Sequence, residues 1–194
     1  SIWVGGLIMV AIIHAHVKSV KIDGYKLKPY QKFFGRYITF FIIGQLQTLL
    51  IVLGNLFYLQ IQCIHPFMMW FACSVTSTVF TFFMYSLTVA FGNIGEALAI
   101  VFMVVQVAGS GGTFPIEVLP KVYQMIYKYL PFPYAMDAVR ETVAGMYGNY
   151  YWKCLGILCI YIVISLVIGL VLRIPFEKMN EMIEESKEKS GVML

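Results

Sequence analysis

Long apolar runs separated by short polar breaks dominate the chain. Five of them have the character of membrane spans: Ile2 to about His16, Tyr37 to Leu59, Phe67 to Phe91, Ala97 to Ala108, and Lys153 to Leu172. A helix needs about 20 mainly apolar residues to cross a hydrocarbon core of about 30 Å. The first run is cut at its N-terminal end, and the fourth, of 12 residues, falls short. The pattern predicts an all-α fold, a polytopic transmembrane helical bundle of five spans. Polar positions inside the runs are ordered as well. In the second run Gln45, Thr48 and Asn55 share one side of a helical wheel, with Gly44 and Gly54 allowing close backbone approach. In the third, Ser74, Ser77, Thr78, Thr81, Tyr85 and Thr88 recur at helical spacing, the clearest polar stripe in any span. Such residues face protein or water rather than lipid, and hydroxyls also bond back to their own helix carbonyls. Gln45, Thr48, Asn55, Ser74, Thr78, Thr81 and Tyr85 are therefore candidates for lining a substrate path. Helix–helix hydrogen bonding is the plainer reading of the same residues.

After Ala108 the pattern breaks into Gly109-Ser-Gly-Gly-Thr-Phe-Pro115. Irregular backbone at membrane depth must be buried in protein or line a wet cavity, because lipid offers no hydrogen-bond partners. Pro115 suits a helix first turn, with Thr113 near the cap and Glu117 close to the positive end. Ile116, Leu119, Val122, Tyr123, Ile126 and Leu130 then recur at helical spacing. Pro131 and Pro133 are expected to end that helix, and Tyr134 to Tyr147 to form another, with Asp137 and Arg140 spaced to pair. The residues alone imply a broken, partly buried hairpin; an external loop with two surface helices fits them equally.

Composition supports the membrane reading: 60% of residues are hydrophobic and only 12% charged, about half the charged share of a soluble globule. The stretch 17–36 holds Lys18, Lys21, Lys26, Lys28, Lys32 and Arg36 against Asp23 alone, which predicts a cytoplasmic loop. Its last part, Lys28 to Tyr37, mixes basic and aromatic residues and is expected to lie along the interface and attract anionic lipid. Gln60 to Pro66 lacks Lys and Arg and is expected outside, bracketed by Tyr58 and Trp70. Tyr147, Tyr150, Tyr151 and Trp152 read as an aromatic belt at the same face. The charged tail 174–194 reads as a cytoplasmic helix or a frayed end. A start without Met inside an apolar run reads as a fragment of something longer.

Little in the chain suggests catalysis. His14 and His16 are two apart and share no helix face. Cys63, Cys73, Cys154 and Cys159 lack metal or redox spacing and read mostly as span-filling residues, with a Cys63–Cys154 bridge on the outer side as the lesser alternative. Neither a phosphate-binding Gly-x-x-x-x-Gly-Lys-Ser/Thr stretch nor a zinc-protease His-Glu-x-x-His occurs. No catalytic, cofactor or metal site is expected, nor any nucleic-acid partner; the chain reads as a non-enzyme.

The Gly-Thr-Phe-Pro break, a short amphipathic helix, Leu130-Pro-Phe-Pro-Tyr-Ala, Arg140-Glu-Thr-x-x-Gly145 and a last span occur in that order. That order resembles the C-terminal membrane domain of YhgE/Pip proteins, which belong with the ABC-2 type exporter permeases. The match is specific between Gly109 and Gly148, and hydropathy order extends it over nearly the whole chain. The resemblance implies that Gly109, Gly111, Gly112, Thr113, Phe114 and Pro115 open a re-entrant element at the outer face before the last span. It implies a permease-like domain over 1–173 followed by the tail, and a homodimer or heterodimer of permeases in the bilayer of a bacterial cytoplasmic membrane. The loop 17–36 and the C-terminus would be cytoplasmic. A separate ABC ATPase would dock on that loop, at Lys21, Lys26, Lys28 and Lys32. Family members carry a further span and a large external region upstream. The same resemblance also covers a membrane anchor or assembly component of a surface receptor or secretion machine, without transport.

Overall fold

The computed structural model describes residues 2–13, 29–110 and 116–172, and every regular element among them is helical. The helices are α1 (Ile2–Ile12), α2 (Pro29–Leu53), α3 (Pro66–Phe91), α4 (Asn93–Gly109), α5 (Lys121–Tyr127), α6 (Pro131–Ala144) and α7 (Tyr150–Val167). A π-helical turn extends α2 over Gly54–Tyr58 and another extends α7 over Ile168–Leu172; a 3-10 turn, Ile116–Val118, precedes α5. Three stretches are long and apolar enough to cross a membrane: Tyr30–Tyr58, Pro66–Phe91 and Tyr150–Val171. Two shorter apolar helices, Ile2–Ile12 and Ile94–Gly109, accompany them.

Helix α3 is the axis of the bundle: α1, α2, α4, α6 and α7 all pack on it. It carries no charged residue and its polar positions are mainly small hydroxyls, and Phe80, Phe82, Met84 and Tyr85 are each at most 3% exposed. Where its surface turns polar, the side chains are small. A Cβ on Gly44 of α2 would stand 3.2 Å from Ser77 Oγ, and one on Gly6 of α1 3.3 Å from Thr81 Cγ2. Small residues facing each other let backbones approach, which is how helices gain contact where lipid removes the hydrophobic drive. At the α3–α4 corner Gly92 adopts φ 57°, and a Cβ on Gly95 would overlap the Leu87 carbonyl. An aromatic cluster of Phe33, Tyr37, Phe40, Phe82 and Tyr85 locks the start of α2 to the last turns of α3, with ring centroids 4.6–5.8 Å apart for the pairs that join the two helices.

Several boundaries differ from the sequence expectation. The basic–aromatic segment up to Tyr37 is not a separate interfacial piece: from Pro29 it is continuous with α2, held there by Phe33 in the aromatic cluster. No single helix runs from Ile116 to Leu130. Pro120 sits at φ −52°, ψ 147° ahead of α5, because it has no N–H to donate and biases its predecessor away from helix. Pro131 and Pro133 do not end a helix; they start α6, whose first N–H groups need no intrahelical partner. At the other end, Gly145 with φ 110° stops α6 at Ala144, three residues before Tyr147.

Candidate functional site

Polar chemistry gathers at two places, the α5–α6 hairpin and the seam between α2 and α3. The hairpin turn reaches far down the bundle. Phe132, second residue of α6, stacks on Phe80 with ring centroids 6.1 Å apart and planes 3° from parallel. Tyr161 Oη donates to the Tyr129 carbonyl at 2.7 Å, and Tyr134 Oη donates to the Lys128 carbonyl at 2.7 Å. The opposite end of α6 is tied to the α2–α3 connection: the Thr142 carbonyl accepts from the His65 N–H at 3.1 Å and from Cys63 Sγ at 3.2 Å. Between these ends Asp137 pairs with Arg140 at 3.2 Å and accepts from Tyr150 Oη at 3.0 Å. Glu141 accepts the Tyr147 N–H at 2.6 Å.

The start of the expected break is visible at Gly109, which ends α4 and is buried; a Cβ there would stand 2.9 Å from Tyr123 Cδ1. Gly111, Gly112, Thr113, Phe114 and Pro115 lie outside the described residues. One turn below the break is Gln106, fully buried, with neither Nε2 nor Oε1 hydrogen-bonded among the described residues. An unpaired buried amide is costly. Sequence reasoning passes over it because a lone amide in a short apolar run carries no spacing signal.

The seam brings together most of the expected path-lining residues. Gln45 Nε2 donates to Thr78 Oγ1 at 3.0 Å and to the Ser74 carbonyl at 3.3 Å, and Ser74 Oγ donates to Gln45 Oε1. Thr48 Oγ1 bonds the Gly44 carbonyl at 2.9 Å, Thr81 Oγ1 the Ser77 carbonyl at 2.7 Å, and Tyr85 Oη the Phe33 carbonyl at 2.8 Å. Asn55 stands apart, half-buried in the π-helical turn. The bonds of Gln45, Ser74, Thr78 and Tyr85 cross the seam and hold the two helices together, whereas Thr48 and Thr81 bond back to carbonyls of their own helices.

Of the basic loop, Lys32 lies half-buried in the first turn of α2, while Lys21, Lys26 and Lys28 fall outside the described residues, as do His14, His16 and the tail. All four cysteines carry free thiols, so Cys63 and Cys154 are not bridged. No group of three or more potential metal ligands occurs among the described residues. A cavity of roughly 290 Å³ lies between α1, α3 and α6, lined by Trp3, Cys73, Thr76, Phe80 and Phe132 with Arg140 beside them. Ile2, Ala135, Met136 and Val139 complete its lining.

Comparison with known proteins fixes the setting of these features. Over 188 residues, 97% of its length, the chain is 27% identical to the uncharacterized protein YhgE of Bacillus subtilis (strain 168), covering 23% of that protein. Over 63 residues, 32% of its length, it is 35% identical to nodulation protein J of Rhizobium leguminosarum bv. viciae, covering 24% of that protein. Nodulation protein J of Rhizobium leguminosarum bv. trifolii matches over the same extent at the same identity. The chain thus spans about a quarter of the length of these relatives. No solved structure matches it. The sequence profile of the ABC-2 family transporter proteins matches residues 1–171, and with its all-helical bundle the chain belongs to that family.

Proposed function

We propose that this chain is the membrane-spanning permease part of an ABC-2 type exporter, moving a substrate across the bacterial cytoplasmic membrane. The observation that carries the reading is the family match over residues 1–171. Two copies, or one copy and a related permease, enclose the path. A separate ATPase supplies the energy, in keeping with membership of the ABC-2 transporter family. That ATPase docks on the basic loop at Lys21, Lys26, Lys28 and Lys32, on the cytoplasmic side with the C-terminal tail. The break opening at Gly109 and the hairpin α5–α6 form the re-entrant element at the outer face. Charge in the loop supports its cytoplasmic placement, and family membership supports the docking assignment; the seat of the α5–α6 turn beside Phe80 and Tyr161 supports the re-entrant one.

Purification of the full-length protein from its native membrane tests the reading. An ABC ATPase is expected to copurify and to crosslink to Lys26, Lys28 or Lys32. Charge reversal at Lys21, Lys26, Lys28 and Lys32 is expected to release it. A second reading stands on the chain's spanning only 23% of YhgE: the spans anchor a larger assembly without transport. Under that reading no ATPase copurifies, and charge reversal leaves function intact wherever topology is preserved.

A further inference from the structure

Phe132 and Arg140 are eight residues apart on α6 (140 − 132), roughly 12 Å along its axis, and both line the cavity between α1, α3 and α6. They give its two ends different chemistry. Aromatic rings close one end: Phe132 stacks on Phe80, and Trp3 meets Phe80 edge-on with centroids 4.6 Å apart. At the other end stands the Arg140 guanidinium, its side chain 55% exposed. Arg140 lies two residues before Thr142, whose carbonyl takes the His65 N–H beside the start of α3. Between the ends the walls are Ile2, Cys73, Ala135, Met136 and Val139.

Two more residues of the lining are polar and unsatisfied. Trp3 and Thr76 are 2% and 4% exposed, and Trp3 Nε1 and Thr76 Oγ1 have no hydrogen-bond partner among the described residues. Leaving buried polar atoms unpaired is costly. An indole N–H only donates, a hydroxyl donates or accepts, and a guanidinium carries five donors. Arg140 gives one bond to Asp137, whose second oxygen accepts from Tyr150; no other bond of Arg140 occurs among the described residues. This donor-rich set matches a group of oxygen acceptors, and the aromatic end matches an apolar body. Volume limits that body: the cavity of roughly 290 Å³ holds about ten groups the size of a water, at about 30 Å³ each. We propose that the cavity binds a small apolar carboxylate of about ten heavy atoms, its carboxylate on Arg140 and its body against the Phe80–Phe132 stack. The Thr76 hydroxyl and the Trp3 indole N–H add donors to the carboxylate oxygens. Arginine suits the task because its planar fork matches a carboxylate. The site deepens the permease reading by naming a substrate class, and it rests on that reading for its role.

The test uses the full-length protein in phosphatidylcholine nanodiscs. It is photolabelled with octanoate carrying a diazirine at the chain end, or with the matching octanol, and crosslinked peptides are mapped by mass spectrometry. Octanoate is expected to label 73–80 and 132–139 about tenfold more than octanol, the worth of one charge-assisted hydrogen bond. Arg140→Gln is expected to remove that preference and Arg140→Lys to restore part of it. Thr76→Val should lower octanoate labelling several-fold. Ala135→Leu, which adds bulk to the wall, should abolish labelling while keeping or raising the thermal midpoint, and Lys121→Gln should change nothing. Equal labelling by acid and alcohol would overturn the site, as would full labelling of Arg140→Gln or of a folded Ala135→Leu protein. Absence of label from both peptides, as when another segment of the full-length protein fills the cavity, would overturn it too. Because labelling is read without turnover, its failure is separable from failure of ATPase copurification.

Discussion

Glycine and glutamine positions show most directly how single residues set the packing. Gly95 has no room for a side chain: its Cβ would meet the Leu87 carbonyl and come within 3.0 Å of Thr88 Cα, both backbone atoms that cannot step aside. Gly95→Ala is expected to destabilise the bundle by about 1–3 kcal/mol, the usual cost of overpacking, seen as a lower thermal midpoint in detergent. On α7, a Cβ added to Gly156 would meet nothing within 4 Å, so Gly156→Ala should leave that midpoint unchanged or slightly higher. Gln106 is the reverse case, a side chain whose needs are unmet among the described residues. Gln106→Leu removes two orphaned polar atoms, and is expected to raise stability by about 1–2 kcal/mol. A rise in thermal midpoint accompanied by loss of activity would mark Gln106 as a residue kept for function. Neither residue is legible from sequence: Gly95 falls in the short break between the third and fourth runs and Gln106 is one polar position in an apolar run, and only their neighbours in space make them special.

At the scale of elements, the α2–α3 seam and the hairpin differ in how far sequence spacing reaches. The stripe on α3 is visible because hydroxyls at helical spacing define a face whatever that face meets. Its partner is not visible, since spacing within one helix does not name the other. The structure supplies it as Gln45, bonded to Ser74 and Thr78. Gln45→Leu is expected to cost about 1–2 kcal/mol, in line with interhelical hydrogen bonds in membranes, measured by thermal or denaturant unfolding in micelles. If stability is kept and transport alone is lost, the seam lines a path rather than merely joining helices. The prolines mislead for a related reason. Pro131 and Pro133 are breakers inside a helix yet welcome in its first turn, and which role applies depends on whether the chain enters or leaves a helix there. Leu130, buried beside Gly109, fixes that the chain is entering.

For the whole molecule, the depth of the hairpin decides how the bundle is used. Contacts at Phe80 and Tyr161 place the α5–α6 turn well inside the span region, whereas Thr142 is tied to the connection at Cys63 and His65. A spin label at Tyr129→Cys in the reconstituted protein is therefore expected to be accessible to oxygen and protected from a water-soluble nickel chelate. A label at Gly148→Cys, in the exposed link before α7, is expected to show the opposite. Equal nickel access at both positions would place the hairpin on the surface, as an ordinary external loop. The all-helical bundle and its long spans follow from hydropathy, because lipid leaves a backbone no other way to satisfy its hydrogen bonds.

By itself, then, the sequence determined that the chain is an all-helical membrane protein. It also located the three long spans, the polar stripe on α3 and the interruption that begins at Gly109. These properties are local: each depends on the character of a run and on the 3.6-residue period of the helix that the run must form. Tertiary structure alone decided that α3 is the hub, that Gln45 answers its hydroxyls, that Gln106 is left unanswered among the described residues, and that the α5–α6 turn is held by Tyr161 of α7. Those facts depend on which side chains from distant parts of the chain meet, and contact between helices is set by packing shape, on which hydropathy is silent.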